Sequence, residues 1–515
     1  MLMKLLVFCI LWLFFGGMSN AQPTIQWQKT FGGTQGEEVT VVQQTRDGGY
    51  ILAGLTSSSD GDVFGNNGSI DFWMIKLKED GALQWKKTYG GSLDEKPYGM
   101  QQTLDGGYVV VGYTRSTNGD VSGQNGYYDA WVLKLDSTGN IQWQKALGGS
   151  DREDAWDVQQ TTDGGYIVVG RSSSTDGDVT INHGGVDYWI VKLNSTGSIE
   201  WQRSHGGNYD DLAYAVKQTP DGGYIVAGES SSTVGDVTGN HGSSDYWVIK
   251  LNFDGKIEWE KSLGGSSLDR PHDIQLTYDG GYIVCGMSYS IDGDVTGNHG
   301  AGDFWVIKLS EMGDLEWQRA LGGSAEEFPR TMNLTNDNGY VLTGLTGSTN
   351  GDVIGNDGGG DLWVVKLSEM GDLEWQKTYG GTKAELGSSI QQTTDGGYIV
   401  AGYAWSNDGD VSVNKGKNDF WVVKLSPLSS STSNLSASAL QIYPNPATST
   451  ITIKTPEEAS TLSIQITDLL GQVLHHQTLS TNQPINISAL PTGLYLLSAA
   501  TPTGTVFSGK FCKQD

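Results

Sequence analysis

Apolar and polar positions along the chain recur with a fixed spacing of 58 residues. One tryptophan column consists of Trp27, Trp85, Trp143, Trp201, Trp259, Trp317 and Trp375. A second consists of Trp73, Trp131, Trp189, Trp247, Trp305, Trp363 and Trp421, and no insertion or deletion interrupts the seven copies. Such self-similarity is the signature of a repeat architecture, and we expect both columns to lie in the core.

Each repeat contains four strand signals. In the first copy they cover residues 39–45, 50–56, 71–77 and 83–88, and the turns Asp47-Gly48-Gly49 and Asp80-Gly81 separate two of the pairs. Asp-Gly and Gly-Gly supply the positive φ angles that tight hairpins need. Four antiparallel strands per repeat predict one blade of a β-propeller, since 58 residues is long for one coil of a β-helix, the alternative architecture.

The two ends of the repeat region complement each other. It begins with a fourth-strand segment at residues 25–31 and ends with a third-strand segment at residues 419–425. Seven complete blades therefore require the N-terminal strand to join the last blade, which would leave no exposed sheet edge where the ring closes. The predicted fold is all-β: a seven-bladed β-propeller over residues 22–426.

The segments that flank the repeats differ in composition. Residues 1–21 combine Lys4, an apolar run at residues 5–15 and small residues at 19–21, which is typical of a cleaved signal peptide; an uncleaved anchor is the alternative. Residues 427–439 form a Ser- and Thr-rich linker, and alternating strand patterns begin at residue 440. We find no transmembrane segment in the mature chain.

The segment at residues 440–515 carries a set of ordered motifs. They are Tyr443-Pro444-Asn445-Pro446, Asp468-Leu469-Leu470-Gly471, Leu490-Pro491-Thr492-Gly493-Leu494-Tyr495 and a late Lys510. In these motifs the segment resembles the type A C-terminal sorting domain of the type IX secretion system. The resemblance implies a small Ig-like β-sandwich, export by the Sec and type IX machinery through the periplasm, and release or attachment at the outer surface. An accessory adhesive β-sandwich that stays on the chain is the alternative.

The repeats also resemble a known group of proteins. Motifs such as Asp-Gly-Gly-Tyr-Ile-Val and Asp-Tyr-Trp-Val-Ile-Lys-Leu are similar to the β-propeller repeats of secreted Bacteroidota proteins. This resemblance implies architecture and no particular activity. The formal net charge of −27 resides in the repeats, since the tail from residue 427 has four acidic and three basic residues. A field of this sign disfavours nucleic acid and anionic lipid as partners.

Four acidic columns run through all seven repeats, beginning at Glu37, Asp47, Asp62 and Asp71. Three of them lie in or beside loops that should emerge on one face, so we expect an acidic loop face. Three interpretations remain open: carboxylates that cap loop backbone, calcium ligands, or carboxylate catalysis. The candidate calcium ligands are Asp60, Asp62, Asp71, Asp120, Asp129, Asp178, Asp187, Asp236, Asp245, Asp294, Asp303, Asp352, Asp361, Asp410 and Asp419. Calcium is the one cofactor that the sequence suggests.

Recognition residues are expected where the blades differ. One such column reads Thr40, Tyr98, Trp156, Tyr214, His272, Arg330 and Ser388, and should lie near the axis. A second reads Leu55, Tyr113, Arg171, Glu229, Met287, Leu345 and Tyr403. From these columns the candidate ligand-binding residues are Tyr98, Trp156, Tyr214, His272, Arg330, Tyr113, Arg171 and Tyr403. Drift at tolerant positions would produce the same variation.

The sequence contains no recognisable catalytic motif. Nucleophile elbows, zinc-type His or Cys spacing and phosphate loops are absent from it. We therefore expect non-catalytic binding of an extracellular glycan or protein through the loop face. A secreted carbohydrate-active or other hydrolytic enzyme on a propeller scaffold and a structural spacer in the envelope are the alternatives.

Overall fold

The computed structural model describes residues 22–428, 441–454, 462–467, 473–480, 483–500 and 506–514. The predicted signal peptide and most of the predicted linker lie outside these residues. The chain divides into two compact units, Met1–Leu428 and Ser429–Asp515. Regular secondary structure in the described part consists of strands, and this part contains no helix that is long and apolar enough to cross a membrane.

The first unit consists of seven four-stranded antiparallel sheets, one for each repeat. Blade 1 contains β2 (Glu37–Gln44), β3 (Tyr50–Thr56), β4 (Asp71–Leu77) and β5 (Leu83–Tyr89). Blade 2 contains β6 (Glu95–Gln102), β7 (Tyr108–Thr114), β8 (Asp129–Leu135) and β9 (Ile141–Leu147). Blade 3 contains β10 (Glu153–Gln160), β11 (Tyr166–Ser172), β12 (Asp187–Leu193) and β13 (Ile199–His205). Blade 4 contains β14 (Asp211–Gln218), β15 (Tyr224–Ser230), β16 (Asp245–Leu251) and β17 (Ile257–Leu263).

The remaining blades repeat this order. Blade 5 contains β18 (Asp269–Leu276), β19 (Tyr282–Ser288), β20 (Asp303–Leu309) and β21 (Leu315–Leu321). Blade 6 contains β22 (Glu327–Leu334), β23 (Tyr340–Thr346), β24 (Asp361–Leu367) and β25 (Leu373–Tyr379). Blade 7 contains β26 (Glu385–Gln392), β27 (Tyr398–Ala404), β28 (Asp419–Leu425) and, from the other end of the unit, β1 (Ile25–Phe31).

Closure of the ring rests on the pairing of β1 with β28. The two strands run antiparallel, with Ile25 opposite Leu425 and Phe31 opposite Phe420. The resulting sheet has the order β1-β28-β27-β26. The pairing confirms the predicted closure, and it covers an edge of β28 that would otherwise present unpaired backbone groups.

The second tryptophan column forms the contacts between blades. Its seven indoles lie on the third strand of each blade and are 0–2% exposed. Five of them pack against an aromatic ring one position earlier in the preceding blade; the ring centroids of Trp131 and Phe72, for example, are 4.7 Å apart. Buried aromatic pairs of this kind add about 1 kcal/mol each beyond the area they bury.

The first tryptophan column is less buried than the sequence suggested. Six of its members are only partly buried, and Trp375 alone is 5% exposed or less. They lie on the outermost strand of each blade, where one side of the ring faces solvent. The turn of the next blade covers the other side: a Cβ on Gly81 would lie 3.1 Å from the Trp27 ring, and the φ of +76° at Gly81 also favours glycine.

Buried lysines tie the third strand of each blade to a hairpin turn. The Lys76 side chain is 3% exposed, its Nζ lies 3.0 Å from an Asp47 carboxylate oxygen, and it donates to the Leu77 carbonyl at 3.0 Å. Asp47 also accepts from Thr45 and from the Gly49 backbone N–H. The same ion pair recurs in the other six blades at 2.8–3.0 Å. The Asp47 column is therefore structural in every blade.

The second unit contains two small antiparallel sheets. Their strands are β29 (Gln441–Tyr443), β30 (Thr450–Lys454), β31 (Leu462–Thr467), β32 (Val473–Leu479), β33 (Pro484–Asn486), β34 (Gly493–Ala500) and β35 (Val506–Lys513). The sheet orders are β29-β30-β33 and β32-β31-β34-β35, around a core that includes Ile451, Ile464 and Phe511. The Asn445 amide connects the first and last segments, since it donates to the Lys510 carbonyl at 3.0 Å and accepts from Cys512 N at 2.9 Å. The motif at residues 468–471 lies outside the described residues.

Deletion of residues 22–31 tests the closure. It should lower the unfolding temperature of the propeller by at least ~5 °C and promote self-association, because the β28 edge is exposed and the contact of Trp27 with Tyr50 is lost. Calorimetry and light scattering measure the two effects. Deletion of residues 441–515 is the control and should leave the propeller transition in place. An unchanged transition after the first deletion would contradict the closing role of β1.

Candidate ligand-binding cavity at the propeller axis

A cavity of about 610 Å³ lies among the innermost strands of the blades, which are β2, β6, β10, β14, β18, β22 and β26. All seven strands contribute lining residues. The volume falls in the range of sites that bind small molecules or short oligomers.

A β-bulge in each innermost strand supplies the side chains of this cavity. In β2 the pairing passes from Val39 opposite Gly54 to Val41 opposite Ala53, which leaves Thr40 without a cross-strand partner. The same shift occurs in the other six blades. The bulged residues are Thr40, Tyr98, Trp156, Tyr214, His272, Arg330 and Ser388, and all seven line the cavity. A bulge re-aims the side chain of its extra residue, so this column is directed differently from the rest of the strand.

Four of the bulged residues form a continuous aromatic arc. The arc consists of Tyr98, Trp156, Tyr214 and His272, and its successive ring centroids are 5.6, 4.1 and 5.8 Å apart. All four rings are partly exposed. Burial, with the nearby Arg330 and Arg270 cations, lowers the pKa of His272, and burial raises the pKa of Tyr98 and Tyr214. The arc is therefore uncharged at neutral pH and suited to stacking.

One residue of the second variable column lines the cavity, and others contact the aromatic arc from outside the lining. Tyr403 lines the cavity. Tyr113 lies behind Tyr98, with 6.1 Å between their ring centroids. Arg171 pairs with the fully buried Asp154 at 2.5 Å and lies over the Trp156 ring at 5.9 Å. The structure thus brings all eight candidate residues to one region, with Tyr113 and Arg171 supporting the arc from outside the lining.

Sequence reasoning missed several charged residues of the cavity. Lys96 and Arg270 line it, and they pair with Glu38 at 3.4 Å and with Glu229 at 2.7 Å. Glu229 also accepts a hydrogen bond from the Tyr214 hydroxyl at 2.8 Å. A third variable column could have identified Lys96 and Arg270. It varies between blades as much as the other two columns and lies opposite the Leu55 column across the strand pair. Its members are Glu38, Lys96, Asp154, Leu212, Arg270, Phe328 and Leu386.

Further along the innermost strands the cavity contains a buried charge network. Lys217 Nζ lies 3.4 Å from Asp157, whose carboxylate also accepts from Val216 N at 3.0 Å. Asp273 accepts from Met332 N at 3.0 Å, and burial raises the pKa of its carboxyl to about 6 while Lys217 opposes the shift. Lys217 stands where the first three blades have a glutamine that bonds the next blade, as Gln43 Oε1 does with Gln102 N at 2.7 Å.

Most carboxylates of the acidic columns on the loop face accept hydrogen bonds from backbone N–H groups. Glu37 is fully buried and accepts from Gly33 N at 2.9 Å and from the Thr56 hydroxyl at 2.8 Å. Its six equivalents are 0–1% exposed and accept the same glycine N–H. The Asp71 column is 0–2% exposed as well. The expected acidic loop face is therefore much weaker than the residue count suggested, because two of its three columns are buried.

The candidate calcium ligands show the same behaviour. Asp60 accepts from Thr34 N at 2.8 Å, and Asp62 accepts from Gly32 N at 3.2 Å. The equivalent glycine contact is made by Asp120, Asp178, Asp236, Asp294, Asp352 and Asp410 at 3.1–3.4 Å. No group of three or more His, Cys, Asp or Glu side chains within the described ranges could hold a metal ion. These contacts favour backbone capping, and calcium binding stays a prediction.

In most members of the Asp71 column, one of the two carboxylate oxygens has no hydrogen-bond partner. Asp71 Oδ2 accepts from Asn67 N at 2.9 Å, whereas its buried Oδ1 has no hydrogen-bond partner. The same oxygen is unpartnered in Asp187, Asp245, Asp303, Asp361 and Asp419, while Asp129 Oδ1 accepts from Gly126 N at 3.2 Å. Burial raises the pKa of Asp71 to about 7, and the next blade's Glu95 and Asp120 add to the shift.

Stability should therefore fall as the pH rises from about 4 to about 7. In this range the folded protein holds protons on the Asp71 column that the unfolded chain, with Asp pKa values near ~3.9, has lost. The lowered pKa of Asp105, about 2, acts in the opposite sense and only below pH ~4. Asp71→Asn should raise the unfolding temperature at pH 8 by ~1–3 °C, because it removes a buried charge.

Asp47→Asn is the matched control in the same blade. It should lower the unfolding temperature at pH 8, because Lys76 would lose its carboxylate partner. Thermal unfolding between pH 4 and pH 8 measures both variants. A transition temperature that rises steadily up to pH 8 would contradict this expectation, because it would mean that ionisation of the Asp71 column does not destabilise the folded protein.

Millimolar calcium should shift the unfolding temperature at pH 8 by less than ~1 °C relative to chelator, because a ligand stabilises only by binding the folded state. The comparison uses the full mature chain. A rise of several degrees that Asp71→Asn abolishes would instead show that a cation joins the unpartnered Oδ1 atoms, and would replace backbone capping by metal binding at this column.

Comparisons with known proteins concern the two units separately. Regulatory protein FlaEY of Caulobacter vibrioides is 23% identical over 201 residues, which are 35% of this chain and 20% of that protein. The chain thus spans about a fifth of the length of this curated relative. Among solved structures, the Neurospora crassa Pan2 WD40 domain has a TM-score of 0.44 at 9% identity, covering 79% of this chain and 96% of that one. YCF48 bound to D1 peptide has a TM-score of 0.41 at 10% identity, with coverages of 80% and 99%.

These similarities concern the fold and add nothing on ligand or activity. The C-terminal unit gives a firmer result, because the family model for the secretion system C-terminal sorting domain matches residues 441–514. This range coincides with the two small sheets described above. The C-terminal unit is therefore a type IX secretion sorting domain, and the protein is exported to the cell surface or the extracellular space.

Proposed function

We propose that the propeller is a non-catalytic binding module that works outside the cell and takes its ligand into the cavity at the axis. The observation that carries the proposal is the bulged column, in which seven equivalent backbone positions bear side chains of six residue types. Positions that only build the blade, such as the Trp73 column, are identical in every repeat. Because the residue type differs between blades at the bulged position and not at the scaffold positions, we interpret the bulged column as a recognition surface.

The aromatic arc is the binding surface in this proposal. Its rings are partly exposed, lie in contact with one another across four adjacent blades, and carry no charge. Arg171 and Tyr113 support the arc from behind, so its rings are held before a ligand arrives. Preorganised aromatic surfaces bind at low entropic cost.

Because the protein is exported, it meets its ligand outside the cell. Residues 1–21 act as a cleaved Sec signal peptide in this proposal, and the sorting domain then directs passage across the outer membrane. The ligand is an extracellular glycan or protein. Bacteroidota are the proposed source, through the resemblance of the repeats to secreted propellers of that group.

The double variant Trp156→Ala with Tyr214→Ala tests the proposal. It should weaken binding of any ligand selected on a glycan or protein array by at least ~30-fold, because loss of two stacked aromatics costs about 2 kcal/mol or more. Isothermal titration with the full mature chain measures the change. The matched control is Phe253→Ala, an aromatic that is 65% exposed in a turn between third and fourth strands.

Two results would overturn this function. Equal loss of affinity in the control and the double variant would place the ligand elsewhere. Turnover of a polysaccharide by the purified protein, abolished by the double variant, would make the cavity an active site.

A further inference from the structure

The charge of the cavity differs from that of the protein as a whole. The chain carries a formal charge of −27. The cavity, in contrast, is lined by the four basic residues Lys96, Lys217, Arg270 and Arg330 and by the three acidic residues Glu38, Asp157 and Asp273. With Glu229, which pairs with Arg270, these charges balance, so the attraction of the cavity for an anion depends on any cation that has no partner.

Three of these four cations already have carboxylate partners. Lys96 pairs with Glu38 at 3.4 Å, and Lys217 pairs with Asp157 at the same distance. Arg270 pairs with Glu229 at 2.7 Å. Each of these pairs leaves little net charge for a ligand.

Arg330 is the exception. It is exposed, it lines the cavity, and its guanidinium has no hydrogen bond or ion pair within the described residues. It occupies the bulged position of blade 6, directly after His272 in the order of blades, so it stands at the end of the aromatic arc. Burial is the larger cause of the lowered pKa of His272, and the Arg330 cation adds to it. A free guanidinium has donors arranged for bidentate contact with a carboxylate or sulfate.

The neighbouring polar residues are uncharged. Thr40, Gln275, Asn333 and Ser388 line the cavity together with the arc and Arg330. Sugar hydroxyls can exchange hydrogen bonds with such groups, while the apolar face of a pyranose ring stacks on an aromatic ring.

We propose that the cavity selects an anionic glycan, whose sugar rings stack on the aromatic arc and whose carboxylate or sulfate pairs with Arg330. The inference rests on the proposed binding function and names its ligand class. Arg330 determines charge selectivity, and the arc provides affinity that does not depend on charge.

Binding of four probes to the full mature chain tests the inference. The probes are an oligogalacturonate, its methyl ester, chondroitin sulfate oligosaccharide and polyglutamate. We expect the oligogalacturonate to bind at least ~10-fold more tightly than the ester, which is the same chain without charge. Chondroitin sulfate distinguishes a sulfate ligand from a carboxylate ligand, and a preference of the same size for it over the ester also supports the inference.

The variant Arg330→Gln should reduce the ratio of affinities for the anionic sugar and the ester to ~1, chiefly by weakening binding of the anionic sugar. The matched control is Arg319→Gln, whose guanidinium pairs with Asp372 at 3.4 Å and does not line the cavity. It should preserve the ratio. Trp156→Ala should weaken both sugars alike.

The outcomes separate the inference from the function on which it rests. Equal affinity for the acid and the ester, or a ratio that survives Arg330→Gln, overturns the inference and leaves a cavity that binds neutral glycan. Preference for polyglutamate over every sugar overturns it in favour of an acidic peptide. Failure of all four probes to bind overturns it as well, whereas binding of a sugar that Trp156→Ala does not weaken contradicts the proposed function.

Discussion

The ring depends on one strand pairing. β1 joins β28 across nearly the whole length of the repeat region, and in doing so it converts a row of seven sheets into a closed circle. In the closed ring all seven innermost strands line one cavity, so the seven bulged side chains, which are of six residue types, lie around the same space.

The bulge separates structure from recognition within each blade. Most columns of the repeat are constrained by burial: the Trp73 indole packs against the preceding blade, Lys76 pairs with its turn aspartate, and Glu37 receives loop N–H groups. The bulged position has no cross-strand partner to satisfy, so its side chain can change without disturbing the ladder. Difference among blades is therefore concentrated where it affects the cavity and not the scaffold.

Periodicity predicted the fold because every blade repeats the same burial pattern. The strands at 50–56 and 71–77 of the first copy match β3 and β4, and the displaced N-terminal strand followed from the two ends of the repeat region. Contacts made between blades were harder to predict. The partial exposure of the Trp27 column depends on the outer strand facing solvent, and the buried state of Glu37 depends on backbone donors of a loop that precedes it. Neither is visible in residue type alone.

The candidate site was predicted in part for the same reason. Thr40 and its equivalents could be found by comparing copies, since variation at a regular position needs no three-dimensional information. Lys96 and Arg270 were missed, because their importance lies in ion pairs with Glu38 and Glu229 of the preceding blades. The net charge of the whole chain could not describe the cavity, since many of the acidic side chains are buried loop carboxylates and the cavity pairs most of its cations with carboxylates.

A structure of the full mature chain with a bound anionic oligosaccharide tests the central claim most directly. The account predicts sugar rings stacked on Trp156 and Tyr214 inside the axial cavity, with the acidic group within hydrogen-bonding distance of Arg330. A ligand bound on the outer strands or on the opposite face, with the cavity left empty, would contradict it.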